Sequence, residues 1–265
     1  MKTIETVTVG FIGFGNMAQA IADGFLYKEV INPGQLYACA KNWDKLCHNA
    51  QTRGMNPCKT AKEVVEKSDL IIVAVKPYLV ESVLRPICEQ LKNKIVVSVA
   101  AGCLFARYEE FLAKGTHHIS TIPNTPISIG EGIVVCEELH SLSEEEYQLF
   151  ESLFAKIAMI QTVDTEHLSV AGTVSGCGPA FVSMFLEALG DAGVKHGLTR
   201  EVAYRLAAQM IAGTGKLQVL SGEHPAAMKD AVCSPGGTTI VGVAALEKAG
   251  LRSAVIEAID AIEKR

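Results

Sequence analysis

Val9-Gly10-Phe11-Ile12-Gly13-Phe14-Gly15-Asn16-Met17-Ala18 decides the first half of this chain. Thr6, Val7 and Thr8 lead into it, so an apolar, β-rich run enters a glycine turn. Ile21, Ala22 and Phe25 then recur at helical spacing. Gly13, Gly15 and Ala18 supply the small positions of a G-x-G-x-x-A fingerprint between a strand and a helix, the context in which this pattern signifies dinucleotide binding. The first glycine permits the tight turn, the second lets a pyrophosphate approach the backbone, and the alanine allows close helix–strand packing. Ile12, Gly13, Phe14, Gly15, Asn16 and Met17 are the expected cofactor-binding segment.

The next strand, Gln35 to Ala40, bears on which nicotinamide is used. An NAD enzyme places an acid at the end of this strand for the ribose 2′-hydroxyl. Here Ala40-Lys41-Asn42 offers a cation and an amide instead. Lys41 and Asn42 are therefore candidates for a 2′-phosphate, and the expected cofactor is NADPH, with NADH the alternative.

Strand and helix signals then alternate. Trp43 to Arg53 reads as a helix stopped by Gly54, and Leu70 to Val75 as a strand buried on both faces and ended by Lys76-Pro77. Ile95 to Ala100 and His118 to Ile122 are further strands. Ile133 to Cys136 and Met159 to Val163 bracket a helix whose start, at Ser143 with Glu146 or at a neighbour, reads as a capping box. In an open parallel sheet, ligands bind beyond the carboxyl ends of the strands. The loops at Gly13, Lys41, Lys76, Gly102 and Asn124 are expected on one rim.

From about Thr165 the alternation stops and helices follow: Phe181 to Lys195, Arg200 to Leu220, Thr238 to Ala249 and Arg252 to Glu263. Gly193, Gly197 and Gly222 punctuate them, while Pro179 and Pro225 suit first turns. The small residues Ala203, Ala207, Ala208, Ala212 and Gly213 permit close backbone approach. So much apolar surface in a short helical domain implies burial against a second copy. The expected fold class is α/β: an N-terminal Rossmann domain over 1–164, then an all-helical dimerisation and substrate domain over 165–265.

Composition suits a packed enzyme, with 49% hydrophobic and 20% charged residues and a net charge of −5. Nucleic acid is an unexpected partner for such a chain. The longest apolar run considered for a membrane span, Ile95 to Ala106, is too short, so no membrane is expected. The eight cysteines never form C-x-x-C and read as small buried hydrophobes in a cytoplasmic protein. His117-His118 opens a strand, where adjacent side chains point to opposite faces, so no metal is expected.

Near the C-terminus, Cys233-Ser234-Pro235-Gly236-Gly237-Thr238-Thr239-Ile240 sends a Pro-Gly-Gly turn and two hydroxyls into a helical pattern. Such a junction presents free N–H groups to a carboxylate; the alternative is an ordinary capped helix.

Together these residues resemble the pyrroline-5-carboxylate reductase family. The likeness runs through Gly10 to Ala18, Ala74-Val75-Lys76-Pro77, Ala100-Ala101-Gly102, Pro123-Asn124, Gly176 to Phe181, Ala188 to Gly193, Thr214 to Leu217 and Ser234 to Thr239. It implies NADPH-dependent reduction of 1-pyrroline-5-carboxylate to L-proline. It also implies self-association through the helical domain, and cofactor contacts at Ala74, Val75, Lys76, Pro77, Ala100 and Gly102. Ser234, Gly236, Gly237 and Thr238 would hold the substrate, and by family alignment Thr239 would serve the imine nitrogen. The chain departs from the family at Ile122, at Ala61 and at Gly222-Glu223. The alternatives are a paralogous reductase of another cyclic imine and a non-catalytic nucleotide-binding regulator on the same fold.

Overall fold

The computed structural model describes residues 2–264, and the chain divides into two compact units between Gly176 and Cys177. In the first unit, β1 (Val9–Ile12), α1 (Asn16–Tyr27), β2 (Leu36–Cys39), α2 (Trp43–Gln51), β3 (Asn56–Pro57), α3 (Ala61–Lys67) and β4 (Leu70–Val73) alternate. Then come α4 (Val80–Leu84), α5 (Cys88–Leu91), β5 (Ile95–Ser98), α6 (Phe105–Glu109), β6 (His117–Pro123), β7 (Gly132–Glu137), α7 (Glu144–Phe154), β8 (Ala158–Val163) and α8 (Leu168–Gly172). The strands form one eight-stranded sheet in the order β3-β2-β1-β4-β5-β6-β7-β8.

Every residue of β1, β4 and β5 is buried, as continuous apolar runs covered on both faces require. Alternate residues feed two cores. Phe11, Leu70, Ile72 and Val97 pack on one face with Ile21, Phe25 and Phe150. Ile12, Ile71, Val73 and Val96 pack on the other with Val64, Leu84 and Tyr108. The Ser143–Glu146 capping box of α7 is made as expected.

The sheet departs from the all-parallel reading at one edge. β7 runs antiparallel to β6, and β8 parallel to β7. The β6–β7 link is a 3-10 turn, Thr125–Ile129, closed by Gly130 at φ 75°. A parallel return would need a full crossover. A two-residue strand, β3, pairs at the other edge, over Asn56–Pro57, for which the sequence analysis named no element.

Residues 165–176 stay with the first unit. Thr165 Oγ1 donates to Glu137 Oε1 at 2.7 Å, and Asn124 Nδ2 donates to Ser175 O at 3.0 Å. A Cβ on Gly172 would lie 2.6 Å from Ile122 Cδ1. The segment Thr173–Cys177 is a π-turn.

The second unit holds α9 (Gly178–Lys195), α10 (Arg200–Ser221), α11 (Pro225–Ala231), α12 (Thr238–Lys248) and α13 (Leu251–Glu263). Small residues let α9 and α10 cross closely: a Cβ at Gly193 would meet the Ala203 Cβ at 2.8 Å, and one at Gly190 the Tyr204 ring at 2.3 Å. No residue of α11, α12 or α13 is buried within the chain. Met184, Leu206, Leu217, Leu220, Val241 and Ile256 are exposed. Leu168–Lys195 is long and apolar enough, by length and composition, to cross a membrane, and it outruns the Ile95–Ala106 stretch considered from sequence.

Candidate active site

β1, β2, β4, β5 and β6 are parallel, and their registers align Ile12 with Cys39 and Val73, and Val73 with Ser98. The loops beginning at Gly13, Lys41, Lys76, Gly102 and Asn124 therefore emerge on one rim. At its centre Gly13 adopts φ +91°, and a Cβ there would lie 2.7 Å from Ala74 O. Its N–H donates to Cys39 O at 3.0 Å, pinning the turn to β2.

Gly15 is different. It is the N-cap of α1 with φ −82° and ψ −167°, which any residue adopts. An added Cβ would meet nothing within 4 Å. Neither packing within the chain nor backbone conformation requires glycine here, and the face above it is open. α1 also lacks a side-chain cap, whereas α2, α3, α7 and α10 are capped by Asn42, Thr60, Ser143 and Thr199. Orphan N–H groups with an open approach fit a pyrophosphate. Phe14 can contribute only backbone to this turn. Its ring is buried edge-on against Phe11 (5.6 Å between centroids), beneath the Arg53 guanidinium at 5.8 Å. Arg53 is in turn held by Asp23 through two hydrogen bonds of 2.6 and 2.9 Å.

On the rim beside β2, Lys41 and Asn42 are both exposed. Asn42 Oδ1 accepts the Lys45 N–H at 2.9 Å as the cap of α2. Across the rim, Ala74 and Val75 are half-buried, while Lys76 and Pro77 are exposed and enter a 3-10 turn. Ala100 is buried, and Gly102 stands at φ +78° with open space around it.

In the second unit, Gly237 N–H donates to Ser234 O at 3.0 Å, with Gly236 at φ +68°. Pro235 and Gly236 thus occupy the central positions of a turn that needs proline first and a positive φ second. A Cβ on Gly237 would lie 2.3 Å from Ser234 Oγ and 3.1 Å from Ser234 O, so the glycine lets the serine hydroxyl sit close to the turn. Gly237 is the N-cap of α12 and provides no side-chain cap. Thr238 and Thr239 are its first two helical residues, both exposed. They are not cap residues, and their hydroxyls take no part in any hydrogen bond among the described residues.

Residues 165–265 match the family model described as pyrroline-5-carboxylate reductase dimerisation, and residues 8–102 one described as NADP oxidoreductase, coenzyme F420-dependent. The pyrroline-5-carboxylate reductase of Treponema pallidum (strain Nichols) is 43% identical over 259 residues, covering 96% of this chain and 98% of that protein. The chain belongs to the pyrroline-5-carboxylate reductase family.

The Escherichia coli (strain K12) pyrroline-5-carboxylate reductase is 37% identical over 95% of this chain and 94% of its own length. The crystal structure of Plasmodium falciparum pyrroline carboxylate reductase with NADP bound superposes with a TM-score of 0.87 at 30% identity. That comparison covers 97% of this chain and 96% of the other. Family membership makes the chain an oxidoreductase whose first unit takes a nicotinamide dinucleotide, and its helical unit carries the family's dimerisation fold.

Behind the rim of this pyrroline-5-carboxylate reductase family member, the structure adds partners for Asn124, whose loop was expected there, and two groups that the sequence reading did not name, Ser98 and Glu137. Asn124 is buried, and both ends of its amide are engaged: Nδ2 donates to Ser175 O and Oδ1 accepts the Ile133 N–H at 2.8 Å. It ties the rim loop to the π-turn. Ser98 Oγ meets Tyr108 Oη at 2.5 Å and accepts the Ala100 N–H at 3.2 Å, shaping the Ala100–Gly102 loop. Glu137, buried, accepts the Phe105 N–H at 2.7 Å. The Asn124–Ser175 and Glu137–Phe105 pairings are long-range, with no signal in sequence spacing.

His117 and His118 diverge as β alternation requires: His117 Nδ1 meets Glu146 Oε2 and His118 Nε2 meets Glu109 Oε1. Burial holds the His118 imidazole below its ordinary pKa. Burial likewise raises the Cys39 thiol to about 11 and Cys136 to about 12, consistent with both acting as small hydrophobes. Cys177 and Cys233 are half-buried free thiols.

Proposed function

We propose that this protein reduces 1-pyrroline-5-carboxylate to L-proline with NADPH, the last step of proline biosynthesis. The observation that carries the reading is the N-terminus of α12, where a glycine cap, a Pro-Gly turn and unpartnered hydroxyls face outward together. A carboxylate suits the N–H groups near Gly236 and Gly237, with the Ser234 and Thr238 hydroxyls as further donors. A nicotinamide held on the rim at Gly13 and Gly15 would supply the hydride for the imine carbon. The Thr239 hydroxyl hydrogen-bonds the ring nitrogen, which carries or receives the proton. A protonated imine is already electrophilic, so orientation by these groups accounts for much of the rate.

NADPH oxidation followed with pyrroline-5-carboxylate, with piperideine carboxylate and without substrate tests the assignment. Oxidation fastest with the five-membered imine supports it. A preference for the six-membered ring would make the protein a paralogous reductase, and no turnover with either would favour a nucleotide-binding regulator.

Lys41, with no acid at the end of β2, is assigned to the cofactor 2′-phosphate, and NADPH is preferred over NADH on that ground. Lys41→Asp should raise KM for NADPH about tenfold by removing a charge-assisted contact and adding repulsion. Steady-state kinetics with both cofactors check this, and equal changes for NADPH and NADH would remove the role. Lys41 is exposed, so the melting temperature should stay put.

The partner we assign is a second copy of this chain. Ala203 and Ala207 are buried in the α9–α10 crossing, but Ala208, Ala212 and, on α12 and α13, Val241, Leu246, Val255 and Ile256 are exposed. The apolar helix Leu168–Lys195 belongs to this same reading, with no membrane or nucleic acid required, and a reducing cytoplasm suits eight cysteines carried as thiols. Sedimentation should find a dimer or a larger assembly; a fully active monomer would contradict it.

A further inference from the structure

At the corner beside β2, the structure brings up a second cation that lies far from Lys41 in sequence. β2 and β3 run parallel with Ala38 opposite Pro57, and the Cys58 N–H donates to Ala38 O at 2.7 Å. Lys59 thus leaves β3 level with Ala40, just as Lys41 leaves the neighbouring strand. Thr60 Oγ1 caps α3 by accepting the Glu63 N–H at 3.1 Å, and Glu63 Oε2 accepts the Lys59 N–H at 2.9 Å. The backbone is fixed there, and the side chain turns to Trp43, with Nζ 5.8 Å from the ring centroid. Trp43 is the first helical residue of α2, immediately after Asn42. Among the described residues, no carboxylate forms an ion pair with Lys41 or Lys59.

We propose that Lys59 is a second specificity-determining cation for the cofactor 2′-phosphate, positioned by Trp43 beside Lys41. This rests on the NADPH reading above. A phosphate dianion gains from each ammonium that reaches it, whereas a 2′-hydroxyl has no charge to reward a second lysine. A lysine stem loses several rotatable bonds on binding, and the Trp43 face confines it beforehand through a cation–π contact.

The test is calorimetric titration of wild type, Lys59→Ala, Lys59→Arg and Trp43→Leu with NADP⁺ and with NAD⁺. Lys59→Ala should weaken NADP⁺ about tenfold and leave NAD⁺ within about twofold, since only the phosphate contact is lost. Lys59→Arg should keep the wild-type preference, and Trp43→Leu should lie between wild type and Lys59→Ala for NADP⁺. The NADP⁺ affinity of Lys59→Ala should also fall less steeply with salt than that of wild type. A wild type binding both cofactors alike would overturn this assignment and the NADPH reading together. A wild type preferring NADP⁺ whose preference survives in Lys59→Ala would overturn the Lys59 assignment alone. So would equal weakening of both cofactors. Thermal melts of each variant verify that the fold is unchanged.

Discussion

Gly15→Asp should leave the protein as stable as wild type, or more so, while weakening cofactor binding by a factor on the order of 10² or more. Gly15 sits in an extended conformation with open space where a Cβ would go, so aspartate fits without strain. As the N-cap of α1 it would accept one of the orphan N–H groups and place a negative charge at the positive end of the helix. Replacing glycine by aspartate at a cap changes stability by only a few tenths of a kcal/mol, in the favourable direction. The same carboxylate would occupy the place of the pyrophosphate and repel it, weakening the dinucleotide by a factor on the order of 10² or more. A thermal melt and a binding titration on one sample read both effects. Retained NADPH affinity in a folded Gly15→Asp protein would mean that the pyrophosphate does not rest on this turn.

Gly13→Ala should behave in the opposite way. Its Cβ would collide with the Ala74 carbonyl, and its φ is positive, so the loss should appear first in stability. Two glycines of one fingerprint thus separate into a conformational requirement and a ligand requirement.

Thr239→Ala should lower kcat by a factor on the order of 10², the usual worth of a hydroxyl that assists proton transfer to a reacting group. Folding should hold, because Thr239 is the second helical residue of α12 and Gly237 is the cap. Alanine is the better helix former, so stability should remain or rise by a few tenths of a kcal/mol. Had the threonine been the cap, its loss would cost about 1 kcal/mol. Thr239→Ser should recover much of the rate because the donor survives, and Thr238→Ala should appear mainly in KM for the imino acid. Steady-state kinetics and melting curves on the three variants separate these outcomes. Wild-type kcat in Thr239→Ala would dismiss the hydroxyl from the reaction.

Much of this protein is set by local sequence. The strand–Gly13–Gly15–helix junction, the buried runs of β4 and β5, the Ser143–Glu146 box and the Pro235–Gly236 turn each follow from a few adjacent residues. Their period, φ requirement or hydrogen-bond reach is short-range, so the alternating first half, the helical second half and the shared rim are legible from adjacent residues alone. The pairings that connect distant segments depend on how the folded elements meet. β3 exists because Asn56–Pro57 lies against β2, although the dipeptide favours a turn. β7 reverses because its link to β6 is too short to cross over. The Asn124–Ser175 bond, the Ser98–Tyr108 pair and the approach of Lys59 to Trp43 join residues with no common periodicity. Their geometry comes from sheet register and helix packing, and neither is encoded in the spacing of the residues they bring together.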